Sequence, residues 1–336
     1  MTTAIVVGAG GVGKTTVAAS LAADGRSTLV LTVDPAQRLA DSLGAGTLTD
    51  EPRPVAGTRR LHAAMLDAPA AWETVVRRHA DAATAERLVA HKLFTAVAQR
   101  FPSGQAYAAC DRMTDLVQTG RWDLVVVDTP PAEGGIDFFL APARMADLVG
   151  GKVLRWLTGA HLPGRRRVFN WTTRPVLRLA DSVLGGPFLQ EVAEFLLDLR
   201  SIYDGLRRRA RVMERLFHKA SSVVVTTADP APLAQAARFF RELPAVTGPP
   251  AALAVNKTLP AAWADAHPPA GTDAGSAANL RNWAAEAQRQ QDAIAELQGR
   301  YGVDPIRIPW QAETPVTVPE LVALAREVPE LLAVVT

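Results

Sequence analysis

The residues best placed to do chemistry stand close to the start of the chain, in the run Gly8-Ala9-Gly10-Gly11-Val12-Gly13-Lys14-Thr15-Thr16. Its spacing is G-x-x-x-x-G-K-T, the pattern of a loop that cradles a polyphosphate. Glycines let successive backbone N–H groups curl inward around an anion. A helix N-terminus behind such a loop adds unpaired donors and partial positive charge. In this reading Gly10, Gly11, Val12, Gly13, Lys14, Thr15 and Thr16 hold the phosphates. Lys14 reaches the β- and γ-phosphates, and the Thr15 hydroxyl ligates Mg²⁺.

Two carboxylates follow at strand ends. Asp34 closes the apolar run Leu29-Val30-Leu31-Thr32-Val33, and Asp128 closes Leu124-Val125-Val126-Val127. The carboxyl ends of parallel strands form the edge at which open α/β sheets bind ligands. Asp128 is in place to hold Mg²⁺ through water. Asp34 is the candidate to position an attacking water, and it can also cap a helix starting at Pro35. Thr129-Pro130-Pro131 stiffens the start of the next loop, and Ala132-Glu133-Gly134-Gly135 is read as a flexible part that responds to the γ-phosphate.

These residues need a sheet to position them. Ala4-Ile5-Val6-Val7 reads as the strand ahead of the phosphate loop, and Thr16 to Ala23 as the helix behind it. Further strands are expected at 27–33, 61–67, 124–128, 222–227, 251–255 and 304–310. Helices are expected over 70–79, 83–99, 104–119, 230–243, 280–299 and 318–334. The stretch 259–278, rich in Ala, Pro, Gly and Asp, reads as a mobile surface loop. The predicted fold class is α/β: a doubly wound, mostly parallel sheet in one P-loop domain spanning 1–336, with a helical subdomain inserted at 136–218.

That insert is unusual in composition. From Gly150 to Ala180 it has no acidic residue but carries Lys152, Arg155, Arg165, Arg166, Arg167, Arg174 and Arg178, interleaved with Trp156, Phe169 and Trp171. This suits a membrane surface, a protein client or a nucleic acid, or else a solvated face. Phe188 to Leu206 repeats apolar residues at helical spacing, followed by Arg207, Arg208, Arg209, Arg211 and Arg215.

The chain has 336 residues, 48% of them hydrophobic and 21% charged, with a net charge of +2. Its pI is near 8.9. Nothing in that balance demands nucleic acid. The single cysteine, Cys110, excludes an internal disulfide or a Cys-x-x-Cys metal clip. The expected location is cytoplasmic, with peripheral membrane association open, since no leader or membrane-length apolar run is seen.

The nucleotide class can be narrowed. Asn256-Lys257-Thr258-Leu259 lacks the aspartate that a guanine-reading N-K-x-D requires, which favours ATP. There is no L-S-G-G-Q run, and no glutamate directly follows Asp128. With the loop, Asp34-Pro35-Ala36-x-x-Leu39-x-Asp41-Ser42, Asp128-Thr129-Pro130-Pro131 and Asn256-Lys257 in view, the chain resembles the arsenical-pump and tail-anchored-protein-targeting (ArsA-like) family of deviant-Walker-A P-loop ATPases, of the actinobacterial anion-transporting type. The resemblance covers about residues 1–50, 120–145, 220–258 and 305–334. It implies an ATP- and Mg²⁺-dependent dimer that opens and closes. It also implies that Asp34 is the hydrolytic aspartate of switch I and Asp128 the switch II acid. Asn256 would contact adenine, with Pro315 and Val316 in a loop near the base.

The sequence departs from the family in two respects. The family's signature lysine, which reaches the phosphates of a partner subunit, is replaced by Ala9; Arg38 is a candidate local substitute. Cys110 alone supports neither an interfacial zinc clasp nor an arsenite site. Three functions stay open: an ATPase that captures a hydrophobic client or membrane-protein segment, as a homodimer or as the lysine-lacking half of a heterodimer; a positioning ATPase bound to membrane or nucleoid through 150–180; and a weakly hydrolytic scaffold subunit.

Overall fold

The architecture was obtained as a computed structural model, which describes residues 1–23, 25–34, 36–94, 102–130, 133–150, 194–195 and 197–335. Among the described residues eight strands form one sheet: β1 (Thr2–Gly8), β2 (Thr28–Thr32), β3 (Arg53–Pro54), β4 (Leu61–Met65), β5 (Leu124–Asp128), β6 (Ser221–Thr227), β7 (Ala252–Thr258) and β8 (Ile306–Pro309). The order across the sheet is β3-β4-β2-β5-β1-β6-β7-β8. Every pairing is parallel except β3 with β4. The strands read as continuous apolar runs because helices cover a parallel sheet on both faces. Ile5, Val6, Val125, Val126, Val224 and Leu253 are fully buried. The α/β, doubly wound class expected from the sequence is the one observed.

Register sets up the site. Val6 lies opposite Asp128 on one side of β5, and Thr32 lies opposite Asp128 on the other. The phosphate loop joins β1 to helix α1 (Lys14–Ala22). That helix is nearly apolar all round and is buried accordingly. Its Val17, Ala18 and Leu21 share a core with Leu321 and Leu324 of the helix Val318–Glu327. At Gly8 there is no room for a side chain, since a Cβ would come within 2.2 Å of the Val225 carbonyl oxygen. The loop therefore leaves β1 pressed directly against β6.

The described residues divide into two compact units. The sheet unit comprises Met1–Leu66, Asp115–Phe139 and Leu216–Thr336; the helical unit comprises Asp67–Thr114 and Leu140–Arg215. The helical unit thus draws on a segment ahead of β5 as well as on the segment after it. Its interior stacks Trp72 on Tyr107. It also holds the buried carboxylate of Asp111, which accepts from Arg78 at 2.8 Å and from Arg209. Arg209, one of the clustered arginines in the sequence, is thereby an internal partner of Asp111. A buried carboxylate is tolerated only when it is paired in this way. Cys110 is buried beside it, and burial pushes its thiol well above the usual range.

Several boundaries differ from expectation. The supposed loop at 259–278 is shorter and anchored: a single 3₁₀ turn occupies Ala261–Asp265, and a long helix starts at Ala274. Asp273 caps that helix by accepting from the Gly275 and Ser276 amides. Gln290 accepts from the Leu259 amide, and Gln291 donates to the Ala261 carbonyl. The helix expected over 83–99 is Ala82–Ala90, interrupted at His91, with 95–99 outside the described residues. The closing helix breaks at Val328, where Pro329 starts a second short helix. Glu133, Gly134 and Gly135 begin the helix Glu133–Gly150 instead of forming a flexible loop. Of the basic, aromatic stretch 150–180, only Gly150 is among the described residues, as is only part of the apolar stripe 188–206.

Candidate nucleotide site

The phosphate loop closes around its own lysine. Lys14 is buried, and its ammonium donates to the Ala9 carbonyl at 2.8 Å. Burial lowers its pKa, with Asp128 and Asp34 acting in the opposite sense and Arg38 adding to the fall. A buried, under-compensated ammonium at a helix N-terminus is an anion site by its chemistry. Gly13 stands ahead of α1 with φ 91°, a conformation that favours glycine. A Cβ there would also lie 2.2 Å from Asn256 Nδ2.

Asp128 sits behind Lys14 and is 1% exposed. Its Oδ2 accepts from the Thr15 hydroxyl at 2.8 Å and the Thr32 hydroxyl at 3.3 Å. Its Oδ1 is buried with no hydrogen-bond partner among the described residues. Burial pushes the carboxyl up to about 6, against the hydrogen bonds from Thr15 and Thr32 and the charge of Lys14. An orphaned carboxylate oxygen beside the loop threonine fits a hard divalent cation with oxygen ligands, held directly or through its waters. Asp128 and Thr15 together fit Mg²⁺.

Thr32 has a role that the sequence reading missed. Its hydroxyl donates to Asp128 and accepts from the Asp34 amide at 3.1 Å. One side chain thus ties the strand-end acid to the segment carrying the candidate hydrolytic acid. Its position at the C-terminal end of β2, opposite Asp128 in the parallel register, is the signal that could have found it.

Asp34 does not cap a helix. The next helix, α2 (Arg38–Leu43), starts later, with Gln37 ahead of it at φ 56°. Instead, Asp34 Oδ1 accepts from the Ala36 amide at 3.0 Å, and Oδ2 pairs with Arg38 at 3.2 Å. Arg38 also lines the cavity.

Asn256, at the end of β7, donates from Nδ2 to the Val12 carbonyl at 2.8 Å and accepts at Oδ1 from the Lys257 amide. It therefore fastens the loop as well as facing the cavity. Lys257, at φ 59°, reaches back to the Gly11 carbonyl at 3.3 Å. A cavity of about 630 Å³ opens over these groups, large enough for a nucleotide. Gly11, Gly13, Lys14, Thr15, Thr16, Asn256 and Pro315 line it. The Val12 side chain is buried in the core, and Gly10 is exposed. Val316 is not part of the lining; its amide donates to Glu320. Trp310, from the end of β8, lines the cavity and was not singled out in the sequence.

Ala9 is 6% exposed and belongs to the buried apolar cluster. A lysine there would have to leave a packed position. Ala9→Lys is expected to cost about 1–3 kcal/mol of stability. Thermal unfolding checks this; an unchanged Tm would contradict it.

No helix among the described residues is long and apolar enough to cross a membrane. No group of three or more His, Cys, Asp or Glu side chains among them could hold a metal ion. Against known proteins, the family model described as anion-transporting ATPase matches residues 1–297.

Proposed function

The chain belongs to the anion-transporting ATPase family, and from that premise we propose that it binds and hydrolyses Mg²⁺-ATP to drive opening and closing of a dimer that handles a hydrophobic client or membrane-protein segment. The observation that carries the nucleotide part is the buried pair of Lys14 and Asp128, with Asp128 Oδ1 left unpartnered. When bound, Mg²⁺ supplies positive charge to the phosphoryl oxygens. Lys14 exchanges the Ala9 carbonyl for phosphate oxygens. The loop amides would orient the polyphosphate, and the Thr15 hydroxyl and Asp128 would hold the cation. Thr32 ties Asp128 to the segment carrying Asp34, whose carboxylate would orient the attacking water. In phosphoryl transfer such positioning and charge stabilisation do most of the catalytic work.

Client handling by the insert 136–218 rests on the family resemblance; the insert's described apolar residues Phe138, Phe139, Met145, Ile202 and Leu206 are buried in the protein's own interior. Pairing with a related subunit that bears the signature lysine rests on Ala9, whose methyl carries no charge. In such a pair the partner's lysine completes the site on this chain. Mixing the purified chain with a lysine-bearing relative is expected to raise its turnover at least about tenfold, since a cation supplied in trans stabilises the transferring phosphoryl group. Unchanged turnover on mixing would sink the pairing.

A further inference from the structure

We propose that Trp310 is the stacking platform for the base of the bound nucleotide. This deepens the nucleotide reading above and rests on it. Trp310 follows β8 directly, and its amide donates to the Thr258 carbonyl at 2.9 Å, so its backbone is fixed to the end of β7 beside Asn256 and Lys257. Its side chain lines the same cavity as Lys14 and Thr15. Yet it is 52% exposed, an unusual state for so large an aromatic on a rigid strand end. Its aromatic neighbour, Trp283, lies 6.5 Å away between centroids and 30° from parallel. Trp283 in turn lies 6.1 Å from Trp263 at 74°. This ladder braces Trp310 from one direction and leaves it half open.

The other groups near that part of the cavity are poorly suited to hold a base by themselves. Asn256 is drawn toward the loop, donating one N–H to the Val12 carbonyl and accepting at Oδ1 from the Lys257 amide, which leaves one N–H for a base edge and no face on which a base could stack. The Lys257 ammonium is held by the Gly11 carbonyl. Pro315 offers a small apolar surface. A planar base laid on the indole would cover exposed apolar area while the phosphates occupy the loop.

The test is calorimetric titration of Mg²⁺-ATP and of Mg²⁺ with inorganic tripolyphosphate into the full chain, Trp310→Ala and Trp310→Phe. Trp310→Ala is expected to weaken ATP binding roughly 10- to 100-fold, and Trp310→Phe to recover most of that loss. Tripolyphosphate, which has no base, is expected to bind all three alike. Unchanged ATP affinity in Trp310→Ala would overturn the assignment and leave the nucleotide reading intact. Equal losses for ATP and tripolyphosphate would also overturn it, marking Trp310 as a structural prop. Failure of the unaltered chain to bind either ligand would overturn the nucleotide reading and this assignment together.

Discussion

Asp128→Asn is expected to make the nucleotide-free protein more stable, relative to the unaltered chain, at pH 8 than at pH 4, while lowering Mg²⁺-dependent turnover by roughly 100-fold or more. The two effects have one cause. Asp128 is buried, with Oδ1 unpartnered and its pKa pushed up to about 6. The folded state therefore prefers the protonated acid, whereas the unfolded chain ionises near pH 4. This group's favourable contribution is present below pH 4 and is lost as pH rises through 6. A shift of that size corresponds to about 3 kcal/mol at pH 8. Asparagine carries no charge and can still accept from Thr15 and Thr32 at its one oxygen, but it buries an NH2 group where Oδ1 has no partner, so its apo Tm relative to the unaltered protein should be higher at pH 8 than at pH 4. Mg²⁺ needs the ionised acid, so its affinity in the unaltered protein should fall about tenfold per pH unit below pH 6. In the variant that dependence should disappear. Differential scanning of the two proteins across pH, with and without Mg²⁺-nucleotide, checks both halves. An Asp128→Asn protein whose apo Tm relative to the unaltered protein is no higher at pH 8 than at pH 4, or that keeps full Mg²⁺-dependent turnover, would contradict the account.

Asp34→Asn is expected to slow phosphate release about 10²- to 10⁴-fold, the range for loss of a positioned acid–base group. ATP affinity should stay within a few-fold, because Asp34 touches neither the loop amides nor Lys14 in the hydrogen-bond pattern seen here. It is held by Ala36 and Arg38 and is linked to Asp128 only through Thr32. Asparagine retains the acceptor for the Ala36 amide, so the local turn survives. What it loses is the charge that pairs with Arg38 and orients water. The Arg38 pair, whose guanidinium end is largely exposed, contributes little to stability itself. The variant should therefore unfold at nearly the same temperature as the unaltered chain.

Much of this site was legible in the sequence because short motifs carry their own geometry. Gly13-Lys14-Thr15 between an apolar run and a helix leaves few alternatives for the local fold, and Asp128 at a strand end must face the ligand edge. Asn256, expected beside the nucleotide, lines the cavity, whereas its fastening of Val12 was not visible in the sequence. Residues whose role depends on neighbours far along the chain were harder to see. Thr32 matters because the register sets it opposite Asp128. Trp310 matters because β8 lies beside β7. Val316 was placed near the base by resemblance, but the capping interaction with Glu320 takes its amide. The departure at Ala9 was visible as a missing charge. That its methyl is part of a packed core was not, because burial is a property of the assembled fold.

The most direct test of the central claim is single-turnover phosphate release at pH 8, with the chain in excess over Mg²⁺-ATP, comparing the unaltered protein with Asp34→Asn. This readout does not depend on fast product release, and any slowing from the missing lysine is common to both proteins. The account predicts that both proteins retain ATP and that only the unaltered chain converts it to ADP and phosphate at a measurable rate. Equal rates in the two proteins, or failure of the unaltered chain to retain ATP at all, would contradict it.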